Sequence, residues 1–479
     1  MISWVYRVGT SRLIFRPFFK VRDLFVSSPV NFSFKSFAPE ILLLFFWYLA
    51  MFPGRVGYDT KISLELLRSG GSTDWWTGWY WRVLQILSIN GHSVILFASF
   101  SYLLTIISSY WVINSLFSDQ GNRRILARTL FAFPILPVFA MTVQHDIFLL
   151  CGFLILFGIE LRLTKNREIP KKFLKLLVLL ILVLILTTHQ GLVIALYLIV
   201  RASMILKSKK AAIIVALLFI AVFSQVSEYG IKNTEEKNSG QLIPILMDIK
   251  CVVQDPDSIV SEDAWTVLNS LLPKSTWKKP YRCDDINANE WLNLVDYNQV
   301  DAKRLVRTYI ALMPKNGELL IMAHIARSNY VLPPPFSQVP PNQVNLNFER
   351  PIGEGTNAAL QSGPPLLHPS VDDSYVKVKP QVLLPLEYLG QVPIFIFNQS
   401  SWFWGWGGLW LWPIAYFSWS IKQSNKQKSS FTLLAPFLLL HLTLFSLGIS
   451  STPRHVMPSI VVGLFCLISI FINQRSVAK

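Results

Sequence analysis

Long apolar runs broken by very little charge constrain this chain more than any motif in it. Residues 174–186 and 192–200 hold a single charged side chain, Lys175, and comparable stretches recur along the 479 residues. A hydrocarbon core about 30 Å thick is crossed by about 20 apolar residues in a helix. In lipid, each backbone N–H and C=O must be satisfied within the protein, which favours helices over open strands. Composition agrees: 15% of residues are charged, against about 25% in an ordinary soluble domain. The expected fold class is an all-α polytopic membrane protein.

Ten spanning helices are expected, near 40–53, 92–117, 125–143, 147–163, 173–188, 191–206, 211–227, 402–421, 431–449 and 456–473. Segment 1–36 carries six Lys/Arg, breaks at Pro17 and Pro29 and has no cleavable signal pattern. It reads as a basic cytoplasmic arm, either lying on lipid headgroups or serving as a linker. Residues 37–227 then form a first transmembrane module whose first outer loop is 54–91. Residues 228–401 form a hydrophilic insert of a size that folds alone, mixed and irregular, with helical segments near 261–272 and 300–311 and a Pro-, Asn- and Gly-rich part at 331–385. Residues 402–479 return as the C-terminal transmembrane helices.

Charge orients this arrangement. Of the 44 Lys/Arg, 24 lie in 1–36, 118–128, 162–175, 201–210, 422–428 and 474–479, whereas four of the 28 acids lie in those segments or at their edges. The net +16 is therefore a positive-inside signal and not a nucleic-acid surface. Both termini are expected in the cytoplasm of a multi-pass cell-membrane protein, with the insert extracytoplasmic. Merging 173–206 into one span would carry Lys422, Lys426, Lys428, Arg475 and Lys479 to the wrong side, so two helices are expected there.

Asp146 stands between two apolar stretches, 125–143 and 147–163, and an ionisable residue so placed is a candidate functional residue. His145 and Gln144 make a polar cluster with it, where a simple turn or a helix cap needs none. In the first outer loop, Asp59 follows Pro53-Gly54 and Asp74 precedes Trp75-Trp76. Each is either an N-cap or a group for chemistry: Asp59 as a general base at the rim of an apolar site, Asp74 as a polar contact to substrate. His189 lies at the break after Thr187-Thr188, as a turn residue or a site residue. Arg454 and His455 stand at the outer mouth of the last span, where a guanidinium either snorkels to headgroups or forks onto a phosphate. The Trp-rich run 402–412 reads as an interfacial belt or as rings that stack on a sugar or line a lipid groove. Cys251 and Cys283 both fall in the insert and form a candidate disulfide; Cys151 and Cys466 fall in apolar spans.

No Gly-rich phosphate loop, nucleophile elbow or metal-spaced His/Cys set is present, so no metal ligands are assigned from spacing. Energy-rich cytosolic donors are disfavoured, and a lipid-linked donor reached from the membrane is favoured.

The assembled pattern resembles the GT-C superfamily of polytopic glycosyltransferases, similar to protein mannosyltransferases and to bacterial enzymes that use polyprenyl-phosphate sugars. The likeness rests on Tyr58-Asp59-Thr60, Thr73-Asp74-Trp75-Trp76, Gln144-His145-Asp146-Ile147 and Pro453-Arg454-His455-Val456-Met457-Pro458, and covers 38–227 and 402–473. It implies Asp59 as catalytic base, Asp146 assisting acceptor or metal binding, and Arg454 facing the donor phosphate. A divalent metal is therefore left open as cofactor. The expected partners are a polyprenyl-phosphate-linked sugar, an extracytoplasmic glycan or protein acceptor in cell-envelope assembly, and the bilayer. The first outer loop departs from the family in having no adjacent Asp-Glu or Asp-x-Asp pair. Two rivals are a lipid-linked glycan flippase or transporter and a non-catalytic envelope assembly protein.

Overall fold

The computed structural model describes residues 34–52, 54–56, 58–70, 77–165, 167, 169–188, 190–206, 239–280, 294–295, 301–327, 385–386, 389, 407–425, 431–447 and 453–477. The side chains of some residues in these ranges, Asp59 and Arg454 among them, are outside the description. Outside it too lie most of the N-terminal arm, the expected span at 211–227, most of the Pro-rich segment 331–385, and Asp74, His189 and Cys283.

The first part runs α1 (Phe34–Met51), β1 (Arg55–Val56), α2 (Tyr58–Ser69), α3 (Gly78–Leu87), α4 (Ile95–Leu116), α5 (Gln120–Ala132), α6 (Ile135–Ala140), β2 (Thr142–Val143), α7 (Asp146–Thr164), α8 (Lys171–Ile185) and α9 (Gly191–Leu206). The insert contributes α10 (Ser239–Val253), α11 (Glu262–Leu271), α12 (Lys274–Trp277) and α13 (Ala302–Arg327). A 3-10 turn at Gly407–Trp410 leads into α14 (Leu411–Asn425), followed by α15 (Phe431–Leu447), a second 3-10 turn at Pro453–Val456 and α16 (Met457–Val477).

Among the described residues, three helices are long and apolar enough to cross a membrane: Ile95–Leu116, Asp146–Thr164 and Met457–Gln474. Helix α7 is the hub. It packs against α4, α8, α15 and α16, and 94% of its apolar window is buried inside the protein. A helix apolar on all sides is buried on all sides. Small residues permit the close approaches: a Cβ at Gly152 would strike Ile185 of α8, and one at Gly158 would strike the Trp111 ring of α4. Trp111 also donates its indole N–H to the Ile155 carbonyl at 3.1 Å.

Helix α4 is arranged inside out relative to a soluble helix. Ser101, Thr105, Ser108 and Ser109 are buried, while Leu96, Phe100, Leu103 and Ile107 are exposed. The exposed set is spaced as one helical face. Leu196, Val200 and Met204 make a similar exposed stripe on α9. Water penalises such stripes and lipid does not, so we read this helical body as membrane-spanning.

Two expectations are corrected. The stretch 125–143 is not one helix: α5 ends at Ala132, α6 covers only Ile135–Ala140, and β2 follows. Pro134, at the N-cap of α6, has no N–H to continue the α5 ladder. The all-α expectation also omits the two short strands, which pair in parallel, Arg55 with Thr142 and Val56 with Val143. By contrast, α8 and α9 are separate helices. Between them Thr188 accepts the Gly191 N–H on its hydroxyl at 3.1 Å, and a Cβ at Gly191 would collide with the Ile185 carbonyl.

The described part of the insert is helical and has its own core around Leu246, Val252, Leu268, Trp277, Leu305 and Leu320. Lys250 of α10 closes it: its ammonium donates to the carbonyls of Thr276, Trp277 and Lys279 at 2.7, 2.6 and 2.6 Å. Cys251 is disulfide-bonded, and Cys151 and Cys466 are free and buried.

Candidate functional site

The strand pair fixes the site. Its register sets residues 55 and 56 beside 142 and 143. Three residues beyond each strand stand Asp59, in the first turn of α2, and Asp146, in the first turn of α7. Thr60 secures the match by donating its hydroxyl to the Val143 carbonyl at 2.6 Å. The chain reaches β1 through Gly54, whose φ is +129° and where a Cβ would lie 2.6 Å from the Ala98 Cβ. Only glycine is at ease there. The two acids, far apart in sequence, thus begin two helices at one end of the helical body.

His455 arrives from the second 3-10 turn. Its Nδ1 lies 3.1 Å from Asp146 Oδ1, and Nε2 of His145 lies 3.4 Å from the same oxygen. Asp146 is 0% exposed, and His145 and His455 are 5% and 6% exposed. A carboxylate so far from water is tolerated where it is paired and hydrogen-bonded, and two imidazoles here share one of its oxygens. Their ligand atoms all lie within 4.8 Å of one another. Spacing in the sequence marks no metal ligands, yet the fold brings together two imidazoles and a carboxylate that could hold a divalent cation. Asp146 and His455 lie 309 residues apart, beyond any local pattern.

Surrounding side chains hold the cluster in place. The Tyr80 ring of α3 meets the His145 ring edge to face at 5.4 Å. Thr187 donates to the Leu184 carbonyl at 2.6 Å and approaches the His145 carbonyl at 3.4 Å. Trp79 Nε1 donates to the Val183 carbonyl at 3.0 Å, tying α3 to α8. Buried His441 of α15 meets Ser459, in the first turn of α16, at 2.8 Å. His441 was not singled out from sequence; its one signal is a histidine within an otherwise apolar helix.

Arg454 immediately precedes His455 in the 3-10 turn, so its backbone is at this end, as is that of Asp59. Asp74 and His189 lie outside the described residues. The insert contacts the same end of the bundle. His324 of α13 reaches the Phe445 carbonyl near the C-terminal end of α15 and is held by Asp248 at 3.3 Å. Asp248 also accepts from the Tyr309 hydroxyl at 3.2 Å.

No protein-family model matches this chain, and no curated protein matches it. Among solved structures it is similar to the crystal structure of ArnT from Cupriavidus metallidurans bound to undecaprenyl phosphate. The two are 10% identical, over 90% of this chain and 78% of that one, with a TM-score of 0.33. A likeness of that size carries no argument about fold or activity.

Proposed function

We propose that the protein is a membrane glycosyltransferase that moves a sugar from a polyprenyl-phosphate carrier to an extracytoplasmic glycan or protein acceptor. The observation that carries this reading is the convergence, at one end of an apolar helical body, of segments bearing Asp59, His145-Asp146 and Arg454-His455. In the proposed reaction Asp59 takes the proton of an acceptor hydroxyl as that oxygen attacks the anomeric carbon. The bond from that carbon to the carrier phosphate breaks, and the phosphate leaves with the electron pair. Arg454 faces it, offering a bidentate fork to the growing negative charge. Asp146, oriented by His455 and His145, orders the acceptor side, and Asp74 and His189 complete the substrate contacts.

His145, Asp146 and His455 also suit a divalent cation of the zinc class, because two imidazoles and a carboxylate are a common three-ligand set. When bound, such an ion supplies Lewis-acid polarisation.

Proteoliposomes of the full chain, given polyprenyl-phosphate hexoses and an envelope extract, test the reading. Release of the carrier phosphate with label passing to the acceptor is expected, and Asp59→Asn is expected to abolish it. Wild-type transfer by both Asp59→Asn and Arg454→Ala, in protein that inserts normally, would overturn it.

A further inference from the structure

The opposite end of α7 holds a second polar region with no part in this chemistry. Nineteen residues separate Asp146 from Thr164 inclusive, about 28 Å of helix. There a cavity of about 910 Å³ opens between the ends of α4 and α7 and the C-terminal parts of α14 and α16. Lys165, Arg167, Asn122, Ser420 and Asn473 line it together with Asp119.

Its charge does not balance. Arg167 repels Arg123, Arg162 and Lys165. Two of these four cations, Lys165 and Arg167, line the cavity, with Arg123 and Arg162 beside them, and among the described residues its wall presents one carboxylate, Asp119, itself committed to Asn122 through its N–H and its side-chain amide at 2.7 and 3.0 Å. Part of the excess is met by the carbonyls closing α4: Lys165 donates to Ser115 and Leu116, Arg167 to Asn114, and Arg123 to Phe117. A helix C-terminus offers only about half a negative charge. With α4 and α7 both ending here, the cluster of Arg123, Arg162, Lys165 and Arg167 keeps an excess of roughly two positive charges over Asp119 and the two helix ends among the described residues. Burial lowers the Lys165 ammonium to about 8, with Arg167 adding to the effect.

We infer that this cavity binds a phosphate-bearing anion, with Lys165 and Arg167 supplying charge and Asn122, Ser420 and Asn473 supplying hydrogen bonds. The charge distribution of the chain puts this end in the cytoplasm, where anionic lipid headgroups and soluble phosphates are both within reach. The site is separate from the proposed sugar-transfer centre and stands whether or not that reading does.

The full chain, purified in neutral detergent, tests this. Native mass spectrometry compares retention of phosphatidylglycerol with phosphatidylcholine, and thermal unfolding is followed with and without millimolar inorganic pyrophosphate. Phosphatidylglycerol is expected to be held about tenfold better. The preference is expected to vanish in the double variant Lys165→Gln, Arg167→Gln and also in Ser420→Asp, which puts a carboxylate in the cavity and leaves the α4 carbonyls capped. A pyrophosphate shift lost in Ser420→Asp, without a lipid preference, assigns the site to a soluble anion. Equal retention of both lipids with no pyrophosphate shift, or anion effects that survive in a folded Ser420→Asp, overturns the inference.

Discussion

His455 Nδ1 lies 3.1 Å from Asp146 Oδ1 across 309 residues of chain, with both side chains buried. This contact ties the beginning of α16 to the beginning of α7 and aligns an imidazole on the one carboxylate at the N-terminal end of the hub helix. If that alignment serves transfer, Asp146→Asn keeps the shape and removes the charge. Transfer is expected to fall by about 10²–10³, with smaller loss in His455→Gln. Initial rates in proteoliposomes, set beside unfolding temperatures, separate this from a collapse of the fold.

His145, Asp146 and His455 together predict a metal dependence open to direct measurement. Purified protein is expected to carry close to one equivalent of a transition metal by elemental analysis. His145→Ala and His455→Ala should each reduce it to background, since removing one of three ligands leaves a poor site. Background metal in the wild type, after purification without chelator and with added zinc, would remove the cation from the proposal.

Thr60 tests the strand register. Its hydroxyl bond to Val143 is a side-chain link between the Asp59 and Asp146 segments. Thr60→Val deletes the donor at nearly constant volume. It is expected to cost about 1 kcal/mol of stability and to lower kcat more than it raises KM, because a base displaced from its partner slows chemistry first. An unchanged kcat would show that the two segments hold their register without it.

Glu160 is buried in α7 and held by Arg201 of α9 through two bonds of 2.7 and 2.8 Å. Arg201→Leu would leave that carboxylate alone in an apolar setting, at a cost of about 3–5 kcal/mol. The double variant Glu160→Gln, Arg201→Leu is expected to recover much of this. Unfolding midpoints of the single and double variants measure the difference.

Lys165, just beyond the end of α7, gives a pH dependence of unusual sign. Burial and Arg167 lower it from 10.5 to about 8, so between those values the unfolded chain binds more protons than the native one. Stability is then expected to rise with pH from about 8 towards 10.5, as the fold sheds a charge it holds at a cost. Lys165→Gln should flatten the rise, and so should phosphatidylglycerol if it fills the cavity. Unfolding temperatures at pH 7.5, 8.5 and 9.5 read this.

Much of the body was legible because long apolar runs leave few alternatives in lipid. The bounds of α4, α7, α15 and α16 follow the expected spans closely. The break within 125–143 was missed, since hydropathy runs straight through Pro134 while the missing N–H does not. The insert was expected to be mixed and irregular. The helices expected near 261–272 and 300–311 fall at α11 and at the start of α13, while the irregular part expected at 331–385 lies almost wholly outside the described residues.

For the site, the residue types were legible and their partners were not. Asp146, His145 and His455 stood out because ionisable groups beside apolar runs are costly and therefore rare. Only the tertiary structure decided that His455 reaches Asp146, that residues 55–56 lie beside 142–143, and that α4 and α7 end around a cation-rich cavity. The sequence determined how far each segment prefers lipid to water, a property of the segment alone. Which segments meet depends on packing and hydrogen bonds between residues up to hundreds of positions apart, and these exist only once the helices have assembled.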